Sequence, residues 1–257
     1  MKYILLLIGL WIPSWLFCQN DQPAPLGSEE DLYERYRLAE QMVMSNIQRD
    51  NQKALAYTDS LIIIASLAGN DSLRQRASYL RAGTYRQLGK YEEALDLLDS
   101  YTRHVRAQND TAQLIRALTL TGANYLRMGE NLTAQVYLME ALELAEITQA
   151  KSFIAQISNT IAVNFRAIGQ LEETKFYLQK SFDMADELGN GPVQVMALNG
   201  LGLIYRDQDS LTKAQDIFEK ALKIAEETDF LVGIATQSRN LGVIAQRRGK
   251  LSTAETY

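Results

Sequence analysis

Residues 198–221 read LNGLGLIYRDQDSLTKAQDIFEKA. Gly202 and Tyr205 stand at i and i+3, so a helix through this stretch puts them on one face. Beside the glycine a neighbouring helix can approach closely, and the aromatic ring fills the space next to it. A polar break around Asp209 follows, and then Ala214, Phe218 and Ala221 recur with the period of a second helix. Moving outward by 40 residues at a time, the same columns reappear. The small residue is Ala82, Gly122, Ala162, Gly202 and Gly242, and the aromatic is Tyr85, Tyr125, Phe165 and Tyr205. The turn carries Gly89, Gly129, Gly169 and Gly249, with Asp209 in the remaining place. Beyond it come Ala94, Ala134, Thr174, Ala214 and Ala254, then Leu98, Leu138, Leu178 and Phe218. Columns that hold register over such a distance define a repeat protein.

Each unit accommodates two helices of about 17 residues, about 25 Å long, with short turns between them. Glycine in the turn suits a left-handed helix C-cap. Between units lie Gly69-Asn70-Asp71-Ser72, Asn109-Asp110-Thr111 and Gly189-Asn190-Gly191-Pro192, whose Asp, Ser and Thr residues are natural N-caps. The run Leu198-x2-Leu201-Gly202-x2-Tyr205, continued by Ala214-x3-Phe218 and Ala221, resembles the tetratricopeptide repeat, whose pattern contains L-G-x2-Y and then A-x3-F. The resemblance implies an all-α fold, a right-handed α-solenoid of antiparallel helix pairs. The units are 73–112, 113–152, 153–192 and 193–232, after a divergent first unit at 31–72 that keeps Ala54 but holds Met42 where a small residue belongs. An incomplete unit, 233–257, comes last. No tryptophan opens the repeat, and Arg106, Glu146, Asp186 and Glu226 replace its closing proline, which fits a longer second helix.

The 257 residues are 47% hydrophobic and 22% charged, an ordinary globular balance. A formal net charge of −5 argues against wholesale electrostatic binding of nucleic acid. One cysteine, Cys18, and one histidine, His104, exclude a disulfide framework, a His/Cys zinc site and a Cys–His pair. Of four prolines only Pro192 falls after residue 26, as a helical body requires.

Residues 1–18, MKYILLLIGLWIPSWLFC, have the basic start and short apolar core of a secretory signal. The run from Tyr3 to Phe17 falls short of the ~20 residues of a membrane-spanning helix, and Pro13 would interrupt one. Cys18 is either the last residue of the signal, leaving Gln19 at the new N-terminus, or the acylated first residue of a lipoprotein. Phe17 speaks against the second reading, because a small residue belongs before an acylated cysteine. Residues 19–30 form a polar, proline-containing lead-in. At the other end, Leu251, Ala254 and Tyr257 recur at i, i+3 and i+6 as a stripe that needs a covering partner. A two-turn helix is marginal in water and a solenoid ordinarily ends in a polar cap, so the expectation is that the natural chain continues.

Several motifs resolve into the repeat itself. Gly83…Gly89-Lys90 and Gly242…Gly249-Lys250 fail as phosphate loops in spacing and in lacking a Ser/Thr after the lysine. The sequons at Asn70 and Asn109 lie in turns where the same residues cap helices, and Asn131 opens a third. His104 stands alone, and Glu92-Glu93, Glu172-Glu173 and Glu226-Glu227 lie on solvated stretches unsuited to acid–base work. The reading is of a non-enzymatic chain without cofactor or metal.

In tetratricopeptide superhelices the first helices line the concave surface. The resemblance therefore places there Arg76, Arg86, Arg116, Arg127, Arg166, Arg206, Arg239 and Arg247, with Asn159 and Asn199 among them. Arginine captures carboxylates bidentately and asparagine can hold a peptide backbone. The competing reading is that Arg86, Arg127, Arg166, Arg206 and Arg247 sit at helix C-termini, where a cation contributes about 0.3–1 kcal/mol. The implied function is an exported scaffold, periplasmic or envelope-associated, binding a protein or an acidic or C-terminal peptide. The alternative is the extracytoplasmic sensor region of a signalling protein such as a sensor histidine kinase. Membrane attachment would come only through an uncleaved signal, a lipidated Cys18 or a downstream span.

Overall fold

The structure, a computed structural model, describes residues 28–47 and 49–249. The signal segment with Cys18, most of the lead-in, and the stripe of Leu251, Ala254 and Tyr257 lie outside the described residues. Among the described residues every regular element is an α-helix, in the order expected of an α-solenoid of antiparallel pairs. The helices fall into two compact units divided between Leu88 and Gly89.

The first unit holds α1 (Glu29–Asn46), α2 (Asn51–Leu67) and α3 (Asp71–Gln87). Ser28 caps α1 by accepting from the Asp31 amide, so the helix opens inside the stretch read as lead-in. The core is formed by Tyr36, Val43, Leu61, Ala65, Ala77 and Leu80. Tyr36 Oη donates to the Leu73 carbonyl at 2.8 Å and ties α1 to α3. Met42 does not occupy the small-residue column; it is exposed, and the next residue, Val43, is fully buried. The link between α1 and α2, 47–50, is one residue longer than the link 88–90 that follows α3, so α1 runs 41 residues behind α3: exposed Gln41 takes the place of Ala82, and Val43 that of the buried Thr84.

The second unit holds α4 (Tyr91–Ala107), α5 (Thr111–Met128), α6 (Asn131–Ile147), α7 (Lys151–Ala167), α8 (Leu171–Glu187), α9 (Gly191–Asp207), α10 (Leu211–Glu227) and α11 (Leu231–Arg247). Each helix packs on its neighbours in sequence, and α5, α7, α9 and α11 also touch one another in succession. These first helices therefore make a continuous face. Ala94, Ala134, Ala214, Leu98, Leu138 and Phe218 are fully buried, as their columns require.

The expected close approach is present at Gly122 and Gly202 of the small-residue column. A methyl placed on Gly122 would lie 2.6 Å from Leu138 Cγ, and one on Gly202 would lie 2.4 Å from Phe218 Cε1. The aromatic column finds partners on the second helices: Tyr125 stacks on Tyr137 at 5.5 Å and Phe165 on Tyr177 at 5.4 Å. The turns follow a finer period than the repeat. Residues with positive φ recur every 20 positions from Gly69 to Gly249, with Asn109, Gln149, Asp209 and Asp229 taking the places that glycine leaves. The residue after most of them donates back to close the helix, as Asn70, Asp110 and Phe230 do and as Ser210 does to the Tyr205 carbonyl at 2.9 Å. The caps differ in part from those expected. Asp110 caps α5, but α3 is capped by Asn70 rather than by the neighbouring Asp71 or Ser72, and α9 by Asn190.

Candidate functional site

The face made by α5, α7, α9 and α11 holds most of the residues singled out from the sequence. All four helices carry an arginine in the last turn, Arg127, Arg166, Arg206 and Arg247, where the free carbonyls favour a cation. Three of these arginines do more than cap their own helix. Arg166 Nη2 reaches from α7 to Asp207 Oδ2 on α9 at 3.4 Å. Arg206 donates to Asp207 Oδ1 through Nε at 3.1 Å and through Nη2 at 2.8 Å. Arg247 Nη1 reaches from α11 to the Arg206 carbonyl at 3.3 Å. A single carboxylate thus holds two guanidiniums, and a ladder of polar contacts ties the ends of three successive first helices together.

The amides lie higher on the same face. Asn159 is half-buried on α7, and Asn199 on α9 accepts from Asn240 Nδ2 of α11 at 2.8 Å. Arg239 and Arg127 are exposed, and Arg116 lies over the Phe153 ring at 5.0 Å from its centroid. Apolar side chains open to solvent among these polar groups, Val163 at 55% and Met196 at 42% exposure. The result is amide and guanidinium donors spaced along a surface with apolar patches between them.

Arg76 and Arg86 belong to the first unit and are not part of this face as the second unit presents it. Arg76 Nε donates to Glu40 Oε1 at 2.9 Å and its guanidinium lies over the Tyr79 ring, so it bridges α3 to α1. Arg86 stands in the last turn of α3.

Sequence reasoning missed Asp207, Asn240, Phe153, Val163 and Met196. Asp207 had a signal: it is the acidic member of a column otherwise reading Arg127, Ala167 and Arg247. Asn240 follows Asn199 by 41 residues, one off the period, which hides the pairing from a strict column reading. Among the described residues no group of three or more His, Cys, Asp or Glu side chains is placed to hold a metal ion, and no helix is long and apolar enough to cross a membrane.

Residues 153–227 and 193–257 match the profile of the tetratricopeptide repeat. The chain is 28% identical over 141 residues to the mitochondrial tetratricopeptide repeat protein 19 of Rattus norvegicus, a match covering 54% of this chain and 38% of that protein. The chain spans 38% to 51% of the length of the curated relatives it matches. Among solved structures it resembles the apo form of the quorum sensor NprR from B. thuringiensis, with a TM-score of 0.66, 17% identity and coverage of 91% of this chain and 64% of that one. A Rap protein complexed with competence and sporulation factor superimposes with a TM-score of 0.59 at 14% identity, covering 88% of this chain and 66% of that one. At these identities the structures speak to the fold.

Proposed function

We propose, since the chain belongs to the tetratricopeptide repeat family, that it is a non-enzymatic scaffold holding an extended peptide or protein segment on the face of α5, α7, α9 and α11. The observation that carries this reading is the row of Asn159, Asn199 and Arg239, one per successive first helix, beside solvent-open Val163 and Met196. Amides can pair with a ligand's backbone while apolar gaps take its side chains. From α7 to α11 are two helix-to-helix steps of about 8–10 Å. That span matches about six residues of extended chain at ~3.3 Å each. The Rap protein solved with competence and sporulation factor is a precedent for a bound ligand on this architecture. Carboxylates on the ligand would meet Arg239 and Arg127, because Arg166, Arg206 and Arg247 already have partners within the fold.

A displayed library of random peptides, panned on the full chain, tests this. Selected peptides should bind the Asn159→Ala/Arg239→Ala double variant about tenfold or more weakly, since a hydrogen bond to a charged group contributes about 1.5–3 kcal/mol. Undiminished binding would place the ligand elsewhere.

The signal-like residues 1–18 support export to the periplasm or envelope, with Gln19 as the mature N-terminus. Mass measurement on the protein from an envelope fraction would read this directly. A retained Met1 or an acylated Cys18 would overturn it. The quorum sensor among the structural neighbours supports a second reading, in which the same face serves as the ligand-sensing region of a signalling protein.

A further inference from the structure

The second helices of the second unit carry a pattern that the proposed groove does not use. At their sixth positions, α4, α6, α8 and α10 present Asp96, Val136, Phe176 and Asp216, all exposed. Val136 is 67% and Phe176 61% open to solvent, where the adjoining repeats place aspartate. The helix at this position therefore needs no apolar side chain for its own packing. On α6 the stripe extends to Leu132 and Met139, which with Val136 stand at i, i+4 and i+7 on one face and are 77% and 39% exposed. Phe176 lies edge-on to Tyr177 at 5.1 Å, and Tyr177 Oη sits 3.7 Å from Met139 Sδ. The apolar side chains of α6 and α8 are thus joined into one patch.

Its surroundings are acidic. The same stripe carries Glu92, Asp96 and Asp99 on α4 and Asp216 and Glu219 on α10, all exposed. Glu143 and Asp183 continue it on α6 and α8. The cations close by have partners within the fold, Lys223 included, which stands in the same column on α10 and pairs with Glu227 at 3.8 Å. Arg103 pairs with Asp99 at 2.8 Å, Lys175 with Glu172 at 2.9 Å, Lys180 with Glu146, and Lys220 lies over the Phe182 ring.

We propose that this outer surface docks a basic amphipathic helix of another protein. The helix's apolar stripe would cover Leu132, Val136, Met139 and Phe176, and its lysines or arginines would meet Asp96 and Asp216 on either side. Charge selects this occupant. A second copy of the chain, related by a two-fold axis, would set acidic rim against acidic rim. An anionic lipid surface is repelled by the same carboxylates. The row from α4 to α10 crosses three steps between second helices, which pack on first helices rather than on each other. Each step is therefore at least the 8–10 Å of packed helices, and the occupant needs at least about 18 residues.

The probe is a labelled peptide of about 18 residues with a leucine stripe and lysine elsewhere, beside a counterpart with glutamate for lysine. Fluorescence anisotropy should show the lysine peptide binding the full chain and the glutamate peptide not binding. Phe176→Asp and Val136→Asp each introduce the residue that neighbouring repeats carry, so circular dichroism should be unchanged. Each should weaken the lysine peptide at least tenfold although each adds negative charge. Unchanged or tighter binding in these variants would mean nonspecific electrostatic attraction and would overturn the proposal. So would equal binding of the glutamate peptide. A dimer in sedimentation equilibrium that Phe176→Asp dissolves would assign the patch to a second copy. Binding to phosphatidylserine vesicles that the same substitution abolishes would assign it to a membrane.

Discussion

A methyl group added at Gly202 would lie 2.4 Å from Cε1 of Phe218, a ring with no solvent exposure and no room to withdraw. The same column holds alanine at Ala162, in a cluster where the facing residue is Leu178. Gly122 faces Leu138 almost as closely, so the facing residue alone does not dictate glycine, but at 202 the rigid ring leaves an added methyl the least room. Gly202→Ala should destabilise the chain by about 1–3 kcal/mol, the usual cost of overpacking a core. The urea midpoint should fall accordingly, and the loss should shrink in a Phe218→Leu background, because contacting residues are not additive. An equal loss in both backgrounds would show that backbone preference, not the ring, sets the cost. This pairing was legible in the sequence, since both partners sit in columns. The left-handed residues were legible only where they are glycine or take glycine's place in the turn, as at Asp209. Gln149 gives no compositional hint of positive φ and Asp229 only the general leaning of aspartate toward it, so the 20-residue rhythm of the turns is what exposes them.

At the level of helices, the period predicted the pairs and their lengths because every unit repeats one packing problem. It failed on α1, where one extra residue in the following link moves the offset from 40 to 41, so that Gln41 rather than Met42 answers to Ala82 and buried Val43 answers to Thr84. Single-helix reasoning also placed the last-turn arginines correctly while missing what they hold. The partners of Arg166 and Arg247 are 41 and 41 residues away, on the next first helix or the preceding one, and no local rule reaches that far. Asp207 is the residue on which the two readings of the arginines diverge. Its carboxylate is half-exposed, so its two ion pairs are screened, and Asp207→Ala should cost the fold less than about 1 kcal/mol. The same change releases two guanidiniums at the end of that face. A carboxylate-bearing peptide that the face binds should therefore bind the variant more tightly, with a steeper salt dependence. Weaker binding would mean that Asp207 itself contacts the ligand.

Across the whole molecule, stability in a repeat array is a sum of repeat and nearest-neighbour terms, so it is distributed unevenly along the chain. The first unit is three helices around the cluster of Tyr36, Val43, Leu61, Ala65, Ala77 and Leu80, too few residues to bury a large fraction of their surface. The second unit has eight helices and several successive clusters, including Val195 with Leu198 and Ala221, and Phe218 with Leu241 and Ile244. Its interior helices each have neighbours on both sides. Amide exchange should accordingly be fastest in α1 and α2 and slowest in α7 to α10. Leu61 and Phe218 are both fully buried, and truncating either to alanine removes about 2–5 kcal/mol. If nearest-neighbour coupling governs, Leu61→Ala should accelerate exchange in α1 to α3 and leave α9 and α10 nearly as protected as before. Phe218→Ala should do the reverse, loosening α9 to α11 while α2 keeps its protection. Exchange that accelerates uniformly along the chain in either variant would show instead that the array opens as a single cooperative body, with every repeat sharing the loss.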